Sequence, residues 1–88
     1  MLKISTIEST VGLVKIRIDG HISGEGVNLM QSTCNAHLEQ GLKLSVDLQN
    51  VSFVDRDGIA VLRTLQHHQV EFVNIPLFIT EQIRKPRS

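Results

Sequence analysis

Four residues in a row, Asp55, Arg56, Asp57 and Gly58, have the types and spacing that carry chemistry in this chain. They sit inside the stretch Val51 to Leu65, VSFVDRDGIAVLRTL. Its first half is apolar and β-leaning, and its second half places Ile59, Leu62 and Leu65 at helical spacing. A strand that runs through an acidic turn into a helix brings carboxylates to the helix's positive end, where backbone N–H groups lack internal partners. Two readings of Asp57 follow: an ordinary N-cap, or negative charge presented to a partner. Asp55 either caps the same helix or binds a partner's cation. Arg56 projects outward, to pair with Asp55 or Asp57 or to touch a partner. Gly58 permits close backbone approach or an unusual dihedral. Asp47, at a strand end nearby, is expected to be a structural hydrogen-bonding residue.

Other chemistries find no support. Cys34 falls on an apolar helical stripe and reads as a packed small hydrophobe, not a nucleophile. His67 and His68 are adjacent and cannot share a helix face, while His21 and His37 stand elsewhere, so no metal-ligand spacing appears. Three glycines in Gly20–Gly26 lack the Gly-Lys-Ser/Thr ending of a P-loop. Phosphate or nucleotide binding at the start of the second helix is disfavoured, because Asp57 already sets negative charge there. Asp47, Asp55 and Asp57 together suggest a phosphoryl-accepting receiver with Mg²⁺. That would need five strands, an acidic pair after the first and a lysine after the last, none of which is present. No enzymatic activity, cofactor or metal is expected.

Eighty-eight residues make one domain, 1–88, with room for a single core. Nine basic and nine acidic residues cancel, which removes a broad electrostatic case for nucleic acid or membrane surfaces. Three Phe without Trp or Tyr leave no stacking platform for single strands. One cysteine forms no internal disulfide, no apolar run approaches the roughly 18 residues that span a bilayer, and the N-terminus is not a signal peptide. The expectation is a cytoplasmic domain without membrane insertion.

The elements that must position the loop read off in order. Leu2 to Glu8 is a first strand, Ser9 to Gly12 a turn, and Leu13 to Asp19 a second strand with Val14, Ile16 and Ile18 on one face. Their short connection makes an antiparallel hairpin. Gly20 to Gly26 reads as a loop. Val27, Met30, Cys34 and Leu38 make one stripe of a helix over Val27 to Gln40, with Gly41 at its C-cap. Leu42 to Leu48 alternates, with Leu42, Leu44, Val46 and Leu48 inward and Lys43, Ser45 and Asp47 outward. A helix between two strands is a crossover, so these strands run parallel. The second helix fades at Gln66 to Gln69. Val70 to Ile75 is a fourth strand, and Pro76 opens a last helix, Leu77 to Lys85, with Arg84 and Lys85 at its negative end and a frayed tail of Pro86, Arg87 and Ser88. Clean alternation leaves one sheet face wet. Right-handed crossovers that step one way put every helix on the other face. The expected fold class is α/β: an open-faced layer of about four strands in order 1-2-3-4, the first antiparallel at the edge.

With this arrangement, the segment Leu44 to Leu62, LSVDLQNVSFVDRDGIAVL, resembles the STAS domain of anti-sigma-factor antagonists. Asp47-Leu48 is similar to that family's Asp-Leu pair. Val51-Ser52-Phe53-Val54-Asp55 matches its V-x-F-ϕ-D run (ϕ apolar), and Gly58 matches the glycine that opens its helix. Val14 to Ile22, VKIRIDGHI, looks like its second strand and glycine turn, so the resemblance covers most of the chain. There are departures. The residue before the helix-opening glycine, the phosphorylated Ser or Thr of switchable members, is Asp57. The usually small residue before that is Arg56, and an acidic family position after the earlier loop's Gly-x-ϕ is Ser23. The C-terminal helix region is expected to be shortened.

The resemblance implies a protein-binding regulator in signalling or transcription whose partner is an anti-sigma-type kinase or related protein. Its switch loop would consist of Asp55, Arg56, Asp57, Gly58 and Ser23. Phosphoserine carries about −1.5 to −2 charges and three acceptor oxygens, against one charge and a shorter reach for aspartate. Asp57 at the phosphoacceptor position therefore implies a locked, non-phosphorylatable surface. The alternative is a constitutive STAS adaptor subunit of a larger complex such as a lipid-transport ATPase. The residues leave oligomeric state open, with the wet sheet face or the first strand's edge available for self-association.

Overall fold

β-Branched and alternating residues build the sheet from the N-terminal side. The computed structural model describes residues 2–84; β1 (Leu2–Thr10) and β2 (Leu13–Ile22) form the antiparallel hairpin. Both strands outrun their expected ends. Ser9 and Thr10 pair with Val14 and Leu13 where a turn was expected, and Gly20, His21 and Ile22 continue β2 where a loop was expected. The physical cause is the neighbour: β3 (Lys43–Val54) runs on beside Gly20–Ile22 and satisfies their backbone, overriding the local preference of glycine for a turn.

Helix α1 (Glu25–Glu39) starts at Glu25, ahead of the expected Val27, and buries Val27, Met30 and Cys34. It ends as a glycine there dictates. Gly41 takes φ +77°, its N–H donates to Leu38 O at 3.0 Å, and the Leu42 N–H donates to His37 O at 3.3 Å. That pair of bonds is a Schellman closure. β3 is one strand of 12 residues and not two pieces, since it continues through Gln49 and Asn50 by shifting its register against β2. Helix α2 (Arg56–His67) buries Ile59, Leu62 and Leu65 as its spacing demands. β4 (Glu71–Val73) is shorter than the expected Val70–Ile75. Val70 is used to close α2, donating to Leu65 O, and Asn74 turns away at φ +52°. Helix α3 (Leu77–Arg84) follows Pro76, whose carbonyl accepts from Ile79 and Thr80. The expectations for Lys85 and the tail Pro86, Arg87 and Ser88 lie outside the described residues.

Strand order is β1-β2-β3-β4, with β2, β3 and β4 parallel. α1 touches α2, and α2 touches α3, so the helices form one layer over one sheet face. The core between the layers includes Ile16, Ile18, Val46, Leu48, Met30, Leu62, Leu65 and Ile79. Cys34 belongs to it, and burial pushes its thiol up to about 11. No helix among the described residues is long and apolar enough to cross a membrane.

One expectation about the open face is overturned. Ser45 and Asp47 do not face water; they are 5% and 2% exposed. Alternation assigns a face but not its cover. β3 is an inner strand flanked by Lys15 and Glu71 in register with Ser45, and Arg17 and Asn74 reach Asp47 from either side.

Candidate functional site

The loop between β3 and α2 is held by a single carboxylate. Asp55, extended at φ −81° and ψ 179°, is the N-cap of α2, and its Oδ1 accepts from the Gly58 N–H at 2.7 Å. Its Oδ2 accepts from the Gly24 N–H at 3.1 Å, and its own N–H donates to Ile22 O at 3.0 Å. Asp55 thus caps one helix while tying its start to the turn that opens α1. Of the two readings of Asp55, the cap is what the geometry contains. It follows that Asp57 is not the N-cap; it stands in the first turn of α2, exposed. The cap must precede the helix with extended backbone, and Asp55 is the residue that leaves the strand in that conformation.

Gly58 is required by space. A Cβ there would lie 2.6 Å from Val54 Cγ1 and 2.9 Å from Ile22 O, so the first turn of α2 rests directly on the ends of β2 and β3. Close approach, and not an unusual dihedral, is the reason for glycine. Arg56 is exposed, and among the described residues neither it nor Asp57 makes a side-chain hydrogen bond or ion pair. Arg56 is therefore not paired with Asp55 or Asp57. Ser23 is half-buried in the adjoining turn, its carbonyl accepting from Gly26 at 2.9 Å beside the Gly24–Asp55 bond. Ser23 and the consecutive residues Asp55 to Gly58, distant from it in sequence, thus come to one end of the sheet.

Asp47 is at a distance from that end and does structural work. Its Oδ1 accepts from the Gln49 N–H at 2.9 Å, and its Oδ2 accepts from Asn74 at 3.2 Å and from Arg17 at 3.3 Å. Burial pushes its carboxyl up. The Gln49, Asn74 and Arg17 hydrogen bonds and the Arg17 charge outweigh that, holding it below the ordinary 3.8. Among the described residues no group of three or more His, Cys, Asp or Glu side chains is placed to hold a metal ion.

Sequence reasoning missed the Gly24 N–H as a partner of Asp55, a contact 31 residues apart with no local signal. It also missed the pairing of His21 with Phe53. Both are exposed at the end of the open face, their rings edge to face at 5.9 Å, and Asn50 donates to Asp19 at 2.7 Å beside them.

No protein-family model and no curated protein matches the chain. Solved structures do. A structure of the anti-sigma factor antagonist SpoIIAA in its unphosphorylated form aligns with a TM-score of 0.64 at 17% identity, over 89% of this chain and 79% of that one. The chain has the STAS fold. An anti-sigma factor antagonist from Mycobacterium paratuberculosis aligns with a TM-score of 0.62 at 20% identity, over 80% of this chain and 64% of that one. These STAS structures share the fold of the four-stranded mixed sheet and its helical layer.

Proposed function

We propose that the chain is a cytoplasmic protein-binding regulatory module. It docks an anti-sigma-type kinase or related signalling protein through the start of α2, with Asp55, Arg56, Asp57, Gly58 and Ser23 as the docking loop and no chemistry of its own. One observation carries this reading. Asp55 alone performs the structural capping, which leaves the exposed charges of Arg56 and Asp57 without an internal task. Exposed charges held on a rigid turn, on a helix whose other face is core, are suited to recognition. The likeness of fold to anti-sigma factor antagonists supports the class of partner.

Asp57 has no hydroxyl to accept phosphate, so phosphorylation at that position does not switch the surface, which stays less negative than a phosphoserine would make it. Affinity capture from native lysate with mass spectrometry tests the partner. Recovery of a histidine-kinase-like ATPase supports the regulator, and recovery of a transporter ATPase gives the adaptor instead. Capture unaffected by R56E and D57K removes the loop from the interface. With the captured kinase and ATP, the wild-type loop takes up no phosphate and D57S does; phosphate found anywhere in the wild-type loop ends the locked-switch reading.

A further inference from the structure

β1 is the outer strand of the sheet, and among the described residues no strand lies along its free edge. Its pairing with β2 carries one irregularity, at Ile7 between Thr6 and Glu8. Lys3, Ser5 and Glu8 are in register with Asp19, Arg17 and Lys15, and cross-strand partners share a face. The extra residue therefore shifts Glu8 to the face of Lys3, which it would not occupy in a regular strand. The open face of β1 now reads basic, neutral, acidic, with Ser5 at the centre. Such a row is complementary to itself when reversed.

We propose that β1 pairs antiparallel with β1 of a second copy of this chain about a two-fold axis at Ser5, joining two four-stranded sheets edge to edge. Lys3 then faces Glu8 of the second copy, and Glu8 faces its Lys3. Each cross-sheet row alternates in sign. Lys15 and Glu8 are followed by Lys3 and Asp19 of the second copy, so every charge has opposite neighbours. On the helix side, the half-buried Ile4 meets Thr6 and Ile7 of the second copy and covers Ile7, which is 43% exposed in the single chain. A bulge and an edge lysine ordinarily guard an edge against indiscriminate pairing. Here they favour one register, because any slip loses both ion pairs. The two-fold axis makes the contact isologous and closed, so it stops at two copies. A single strand seam is small, below about 1,200 Å² in total, so the dimer is reversible and concentration-dependent. β2 separates this edge from the loop that opens α2.

Sedimentation velocity on the full chain across a concentration series tests this. The wild type passes from monomer to dimer. K3E sets two carboxylates against each other and E8K two ammonium groups, so each raises the dissociation constant at least tenfold. An equimolar mixture of K3E and E8K regains dimer, because every pair across the mixed seam is then of opposite sign. Hydrogen exchange of the wild type gives a readout free of substitutions: amides of Leu2–Thr10 gain protection as concentration rises. A wild type that stays monomeric, a dimer indifferent to both substitutions, a mixture that stays monomeric, or protection gained elsewhere in the chain overturns the proposal.

Discussion

Asp55 shows how much one side chain can hold. Both its oxygens are used, one on the first turn of α2 and one on the turn before α1, and each bond serves a backbone N–H. Losing an N-cap costs about 1 kcal/mol, and orphaning a second N–H adds to it. Asp55→Ala should therefore cost about 1–2 kcal/mol by urea unfolding, whereas Asp57→Ser, two residues on and unbonded, should change stability by less than about 0.5 kcal/mol. A match between the two would mean that the cap is shared. Gly58 is judged by its surroundings in the same way. Its missing Cβ would overlap Val54 and the Ile22 carbonyl, and backbone on one side cannot step aside as a flexible chain end would. Overpacking of this kind costs about 1–3 kcal/mol. Gly58→Ala should lower the unfolding midpoint accordingly, although alanine is the better helix former by about 1 kcal/mol; a stabilised variant would refute the close approach.

At the scale of elements, the two long helices close by the same pair of hydrogen bonds with different residues. α1 ends on Gly41 in the left-handed region, and α2 ends on Gln69 at φ +67°, with the Val70 N–H on Leu65 O and the Gln69 N–H on Gln66 O. A side chain there costs roughly 1–2 kcal/mol of backbone strain, partly returned because glycine loses more entropy on folding. Gln69→Gly should thus stabilise by about 0.5–1 kcal/mol, raising Tm by about 2–8 °C, measured by thermal melting. No gain would show that Gln69 makes up its strain elsewhere. Asp47 couples elements also. It joins β3 to β2 through Arg17 and to the end of β4 through Asn74. Its folded carboxyl titrates below the ordinary 3.8, so the unfolded chain takes up the proton first. The stability it contributes is complete above about pH 4 and is lost as pH falls below that toward its folded value. Urea midpoints should drop over that acid window in the wild type, and Asp47→Asn should flatten the drop while lowering stability at pH 7. An equal acid slope in both would place the titration elsewhere.

For the whole molecule, one apolar layer between the sheet and three helices sets the fold, and its outline was legible in the chain. Val14, Ile16 and Ile18 at period two, and Ile59, Leu62 and Leu65 at period near 3.6, are in the core where such spacing puts them. Those periods, with the crossover rule, were enough for the strand order and for helices on one side, because burying an apolar stripe admits few arrangements. The position of the acidic turn at a helix start was legible too, since capping is local chemistry. What the sequence could not determine depended on neighbours distant along the chain. Gly20 to Ile22 stayed in the sheet because β3 lay beside them, Ser45 and Asp47 were covered because β3 is an inner strand, and β4 ended early because Val70 was used to close α2. Tertiary structure also decided between Asp55 and Asp57. Both are acidic and both lie near the helix start, but only the residue leaving the strand end could reach Gly24 and Gly58 together. Local residue types state what a group can do; which group does it depends on backbone brought from elsewhere.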